Sequence, residues 1–229
     1  MEAQIETSDP LSPTGRIQWA VNKFPDRIIA SSSFGIESAA LLHMISVAAP
    51  GLPIVFINTG FHFPETLTYK DQLADLLDLN IREVHPLESK DLFLAKHGPQ
   101  YETNPDFCCQ RNKVQPMQRA LQGVDCWITG RRWDQGQSRR FVPVFEHDLD
   151  GLYKVNPVAD WDYKQLASYL NRYKLPEHPL AARGFTSVGC EPCTVPAWNP
   201  GDRRSGRWFG HEKIECGIHQ TSGRNHLTT

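Results

Sequence analysis

The sequence predicts an α/β protein: a parallel twisted sheet flanked by helices, followed by a loop-rich C-terminal tail. Three observations predict it. Short apolar strands alternate with helical stretches from residue 28 onward, an order that packs as right-handed crossovers between parallel strands. The stretch Pro53-Ile54-Val55-Phe56-Ile57 is continuously apolar, as expected of a strand covered on both faces. From about Pro176 the pattern dissolves into a segment rich in Gly, Pro, Arg, Cys and Trp, without a long helical period. Connections of that length are functional or disordered, and the aromatic and cysteine content argues for function.

The elements follow in order. Residues 1–16, with Pro10, Pro13 and Gly15, read as a mobile leader. Ile28-Ile29-Ala30 is the first strand, running into Ser31–Ser38 and an apolar helix from Ala39 to Val47 that Pro50 stops. The second strand ends at Asn58-Thr59-Gly60, and Pro64 opens a helix through Leu77. Ile81 to His85 and Val124 to Thr129 are the third and fourth strands. Ligands of such sheets bind outside the carboxyl ends of the strands. Three loops fall there: 31–38, 58–65 and 130–140. The main domain is expected over 17–193, with 194–229 as the tail.

Composition narrows the function. The chain has 229 residues, 40% hydrophobic and 22% charged, with a net charge of −2. There is no basic excess to hold nucleic acid and no apolar run of membrane-spanning length. The first residues are acidic and polar, unlike a signal peptide, so a cytoplasmic location is expected. In a reducing compartment the six cysteines suit metal binding or catalysis better than disulfides.

Four features carry chemistry. The small residues of loop 31–38, leading into a helix N-terminus, suit an anion, although plain strand-to-helix turns look similar. The loop matches neither G-x-x-x-x-G-K-[ST] nor G-x-G-x-x-G. Cys108-Cys109 with Cys190-Glu191-Pro192-Cys193 could hold zinc or an iron–sulfur cluster. The adjacent pair favours a cluster, which offers separate corners to neighbouring sulfurs. Otherwise Cys108 and Cys109 are buried helix residues, and Cys126, in an apolar strand, reads as core. Cys216 stands apart, with Lys213 and His219 close in sequence to favour its thiolate; the plain alternative is an idle cysteine. Arg131, Arg132, Arg139 and Arg140 follow the fourth strand, Arg203, Arg204 and Arg207 precede Cys216, and Lys113 follows the cysteine pair. Together they suit a phosphate–sulfate anion.

These motifs resemble those of the assimilatory adenylylsulfate and phosphoadenylylsulfate reductases, from about Arg27 to His219. Ser33-Phe34-Gly35-Ile36-Glu37-Ser38 is similar to the S-G-G-x-D-S loop of the family's relatives, with Phe34 for a Gly and Glu37 for the Asp. Asn58-Thr59-Gly60-Phe61-His62-Phe63-Pro64-Glu65-Thr66 resembles the second nucleotide loop. Thr129-Gly130-Arg131-Arg132-Trp133-Asp134-Gln135 resembles the arginine loop, with Gly136 in place of the family's Ser, which leaves Arg139 or Arg140 as the anion-binding arginine. Asn156-Pro157-Val158-Ala159-Asp160-Trp161 also fits. Arg204-Ser205-Gly206-Arg207-Trp208 resembles the arginine pair on the phosphosulfate, and Glu215-Cys216-Gly217-Ile218-His219 matches the catalytic signature. The stretch between Arg207 and Cys216 is shorter than in the family.

The resemblance implies an adenine nucleotide alpha hydrolase-like sheet and a nucleotide site at Ser31, Ser33, Gly35, Ser38, Thr59, Gly60 and Gly130. It implies Lys113, Arg139 or Arg140, Arg204, Arg207 and His219 around the phosphosulfate. It implies a [4Fe–4S] cluster on Cys108, Cys109, Cys190 and Cys193, and hence the branch that mostly uses adenosine 5′-phosphosulfate rather than its 3′-phosphorylated form. Cys216 thiolate would attack sulfur, AMP would leave, and thioredoxin or glutaredoxin would release sulfite from the S-sulfocysteine. No redox C-x-x-C domain follows, so that donor is external. Loops 31–38 and 58–65 hold no Lys or Arg but two acids, Glu37 and Glu65, a poor place for an extra phosphate. Two rivals stand beside this reading: an ATP-dependent adenylating enzyme, disfavoured by Phe34, and a non-enzymatic metal-cluster regulator, which would have no use for Cys216. The sequence leaves open whether the chain forms a homo-oligomer.

Overall fold

Six strands form one sheet in the computed structural model, which describes residues 11–148, 151–199 and 201–220. They are β1 (Ile28–Ser31), β2 (Ile54–Ile57), β3 (Ile81–Val84), β4 (Cys126–Ile128), β5 (Phe145–His147) and β6 (Tyr153–Val155), in the order β3-β2-β1-β4-β6-β5. All neighbours are parallel except β5 and β6, which pair antiparallel at one edge. Alternate residues face opposite layers, as the strand repeat requires. Ile28, Ala30, Ile54, Phe56, Cys126 and Ile128 face α1 (Pro13–Lys23), α2 (Ser38–Ala48), α3 (Pro64–Leu77) and α8 (Tyr163–Arg172). Ile29, Val55 and Trp127 face Met117, Ala120 and Leu121 of the α7 region (Gln115–Ala120). Cys126 is fully buried, as its apolar strand implied.

Two expectations change. The leader ends earlier than expected: Ser12 caps α1, its Oγ accepting the Gly15 N–H at 3.1 Å, and Pro13 occupies the first turn, where its missing N–H does no harm. Arg16 then locks α1 to the sheet through a bidentate pair with Asp160, both contacts 2.7 Å. Residues 1–10 of that leader lie outside the described residues. The β5–β6 hairpin was not foreseen, because three-residue strands carrying Glu146, His147 and Lys154 give no apolar period.

Between β3 and β4 run α4 (Lys90–His97), α5 (Gln100–Thr103), α6 (Pro105–Cys109) and α7, with α6 and α7 joined by a π-helical turn at Gln110–Val114. That widened turn sits where Cys108, Cys109 and Lys113 gather. The described part of the tail, 194–199 and 201–220, is held by an antiparallel bridge between Thr194 and Arg207 and by Val195 N–H to Gly206 C=O (2.9 Å). Residues 221–229 lie outside the described residues. No helix among the described residues is long and apolar enough to cross a membrane.

Candidate active site

The carboxyl ends of β1, β2 and β4 open into a cleft of about 240 Å³, and the C-terminal tail forms its outer wall. Ser31, Ser33, Gly35 and Ser38 line the floor. Ser31 Oγ accepts the Trp127 indole N–H at 2.8 Å, and Ser32 Oγ accepts the Phe34 N–H at 3.0 Å. Phe34 adopts φ +48 with its ring fully buried against Phe56. Left-handed backbone costs a residue with a Cβ roughly 1–2 kcal/mol, so glycine suits this position, and here the buried ring offsets the strain. The turn leaves the Gly35, Ile36 and Glu37 N–H groups without an acceptor among the described residues, at the N-terminus of α2. Such a terminus favours an anion.

Glu37 does not cap that helix. Its carboxylate takes Arg132 at 2.9 Å and Arg203 at 2.6 Å. Arg132 is buried and also pairs with Asp134, and Arg203 lies 3.8 Å from the Tyr163 ring centroid. Glu65 is paired with Arg183 at 2.7 Å. The two acids of these loops, which hold no Lys or Arg of their own, are thus each paired with a guanidinium from elsewhere in the chain. In the second loop Thr59 Oγ1 accepts the Phe61 N–H and lies 3.5 Å from Cys190 Sγ. Gly60 turns away at φ +75 and does not line the cleft, whereas Gly130 does.

Among the arginines, Arg139 faces the cleft and Arg140 does not; Arg140 is exposed beside Phe141. Arg139 is held by Glu215, Nε to Oε1 at 2.7 Å and Nη2 to Oε2 at 3.0 Å, with Nη1 on Gln135. Arg204 reaches the same carboxylate at 3.1 Å, and Ser138 Oγ donates to it at 3.0 Å. Burial would raise the Glu215 pKa, but the two arginines outweigh it and hold it at about 2. Burial and Arg139 push Arg204 down to about 9. Arg207 lines the cleft over Trp208, 4.6 Å from the ring centroid, and its buried Nε has no partner. A Cβ at Gly189 would overlap the Arg207 guanidinium, so glycine is what makes room for it.

Cys216 lines the same cleft, half-buried, at a turn where Gly217 takes φ +85. The cations read beside it need correction. Lys213 is paired with Asp106. His219 stacks on Trp127, 5.0 Å between centroids, and burial beside Arg131 and Arg139 holds its pKa well below 6.5. It is a neutral ring at neutral pH, not a counter-charge. Lys113 and Arg204 are the cations whose charge meets Cys216; burial opposes the Lys113 charge, but Cys190, Cys109 and Cys216 together raise its pKa above the usual lysine range.

Cys108, Cys109, Cys190 and Cys193 surround a second, smaller cavity walled by Phe61, Tyr101 and Trp208. Burial pushes the Cys108 thiol up to about 12 and Cys193 to about 11. Asn112 Nδ2 lies 3.6 Å from Cys108 Sγ. No three His, Cys, Asp or Glu side chains among the described residues converge on one point as a single ion would need. The four cysteines line one small cavity together with Trp208, whose buried indole N–H has no partner among the described residues. That donor set could hold a group with several metal corners. Lys113 and Trp208 line both cavities, so the two sites share a wall.

Matches to known proteins agree with this arrangement. Residues 27–196 match the phosphoadenosine phosphosulfate reductase domain. The chain belongs to that family. It is 44% identical over 231 residues to an adenosine 5′-phosphosulfate reductase of Chelativorans sp., covering 96% of this chain and 93% of that one. It is 41% identical to a phosphoadenosine 5′-phosphosulfate reductase of Gloeobacter violaceus, covering 92% and 90%. A crystal structure of phosphoadenylyl-sulfate reductase from Candida auris superposes with a TM-score of 0.71 at 32% identity, covering 80% of this chain and 90% of that one. The Candida glabrata FMN adenylyltransferase shares the fold alone, at 16% identity and a TM-score of 0.58.

Several residues of this family member escaped the sequence reading of the site. His62 lines the cleft; its Nε2 lies 2.9 Å from the Ile57 carbonyl, its buried Nδ1 has no partner among the described residues, and burial lowers its pKa to about 4. Its signal was a lone histidine between Phe61 and Phe63. Trp208, at φ +47 with an orphan N–H, followed directly on the arginine pair. Glu215 adjoined the nucleophile in the quoted motif, but an acid beside an anion-binding site carries no obvious signal.

Proposed function

We propose that the chain reduces adenosine 5′-phosphosulfate to sulfite and AMP, with Cys216 as the nucleophile. The observation that carries this is the placing of Cys216 in the mouth of an anion-suited cleft, facing Lys113 and Arg207. The names of the relatives supply the substrate class. In this reading the nucleotide lies over the β1 loop and the N-terminus of α2, and its phosphosulfate meets Lys113 and Arg207. The Cys216 thiolate attacks the sulfonate sulfur, the S–O bond to AMP breaks, and an S-sulfocysteine forms. A thiolate of thioredoxin or glutaredoxin then attacks Cys216 Sγ, sulfite leaves with the S–S bonding pair, and the mixed disulfide is resolved by the donor's second thiol.

Cys108, Cys109, Cys190 and Cys193 would hold a [4Fe–4S] cluster, which when bound supplies order and charge beside Lys113 rather than electrons. The gathering of all four cysteines on one cavity supports that assignment. Six free cysteines suit a reducing, cytoplasmic setting. The test is sulfite release from adenosine 5′-phosphosulfate and from its 3′-phosphorylated form with thioredoxin. Higher kcat/KM for the first supports the reading. Preference for the second moves the chain to the other substrate, and no sulfite from either overturns it.

A further inference from the structure

The tail is bracketed around Cys216. On one side His219 stacks on Trp127, with its carbonyl 3.2 Å from Lys154 Nζ. On the other, Glu215 gathers four side-chain hydrogen bonds from Arg139, Ser138 and Arg204. All three nitrogens of the Arg139 guanidinium are engaged: two on Glu215 and the third on Gln135. Three of the five Arg139 N–H donors are thus spent within the protein, two of them on Glu215, while Arg207 Nε has no partner among the described residues. A bidentate guanidinium–carboxylate pair fixes direction as well as distance, and Glu215 is covalently next to the nucleophile.

We infer that Glu215 is a positioning residue, whose carboxylate pins the tail to Arg139 so that Cys216 is held over the cleft. The step it positions rests on the reductase reading above; the docking itself does not. Two outcomes distinguish this from the alternative in which Glu215 merely fills an anion site until substrate displaces it. Positioning predicts that Glu215→Gln leaves nucleotide affinity unchanged and slows transfer of the sulfonate. Competition predicts that Glu215→Gln tightens nucleotide binding.

The experiment has two arms on the full chain carrying its native cofactor. In the first, without nucleotide, the rate of Cys216 alkylation by iodoacetamide is read by peptide mass spectrometry. Glu215→Gln and Arg139→Gln should each accelerate it several-fold, and the double variant little beyond Glu215→Gln alone, since the two changes share the Arg139–Glu215 pair. In the second, the Kd for AMP and the single-turnover rate of S-sulfonate formation on Cys216 are measured. The rate should fall by roughly 10²-fold with Kd moving less than about twofold, and the exchange pair Glu215→Arg with Arg139→Glu should recover part of it. Unchanged alkylation, or tighter AMP binding in Glu215→Gln, overturns the inference. Absence of an adduct in the unaltered chain overturns the reductase reading and leaves the alkylation arm to decide the docking.

Discussion

The chain holds two sets of cysteines on either side of a shared wall, one around a small enclosed cavity and one in the larger cleft. Cys108 and Cys190 are buried, with Cys193 beside them, in a shell of Phe61, Phe93, Tyr101 and Phe107, Cys109 is buried as well, and burial drives Cys108 to about 12. Thiols so placed are poor free nucleophiles and bind as thiolates only when a metal supplies the compensating charge. Cys216 is half-buried on a glycine turn, in a cleft lined by Lys113, Arg204 and Arg207. What separates the two sets is the cavity each lines, the four thiols one and Cys216 the other, while Lys113, on the wall between them, lines both.

The largest test of that division is Cys216→Ser. It should reduce sulfite formation to background while iron content and visible absorbance stay at the level of the unaltered chain; loss of both together would mean the two sets are not separate. Next is Cys190→Ala, expected to strip bound iron and to lower activity through the shared wall, yet to leave AMP binding measurable, because the cleft floor comes from β1, β2 and β4. Isothermal titration with AMP and an iron assay decide it. A smaller effect is acid-dependent. His62 has a folded pKa of about 4 against an ordinary 6.5. Below pH 6.5 the unfolded chain binds a proton that the folded ring refuses, so stability is full above 6.5 and falls as pH drops toward 4. Urea unfolding at pH 7, 6 and 5 should show a slope of up to about 1.4 kcal/mol per pH unit from this group, flattened in His62→Gln. The smallest is Arg140→Ala, which should change kcat/KM less than about twofold and stability within about 0.5 kcal/mol; Arg139→Ala in parallel should impair turnover.

Much of this was legible in the sequence. The second strand and the helix from Pro64 to Leu77 fall where an apolar run and a proline put them. Most of the residues expected to hold the nucleotide and anion do line one cleft. What escaped depended on partners distant in the chain. Choosing Arg139 over Arg140 needed the helical turn that aims one inward. His219 looked cationic from its neighbours in sequence, but the arginines that surround it come from residues 131, 139 and 204. Glu37 and Glu65 looked like uncompensated acids because Arg132, Arg203 and Arg183 lie at least 95 residues away. Local pattern reports periodicity well and charge pairing across folds poorly.

The π turn at Gln110–Val114 makes this part of the chain intolerant of a change in length. It carries an i→i+5 step inside an otherwise α-helical run. Deleting one residue within it would regularise the helix, yet each residue subtends about 100° around the axis. The cysteine pair would then be swung through that angle relative to α7 and away from the turn carrying Cys190 and Cys193. Helical phase, set by a single surplus residue, is thus as much a requirement for these four sulfurs to face one another as the cysteines themselves.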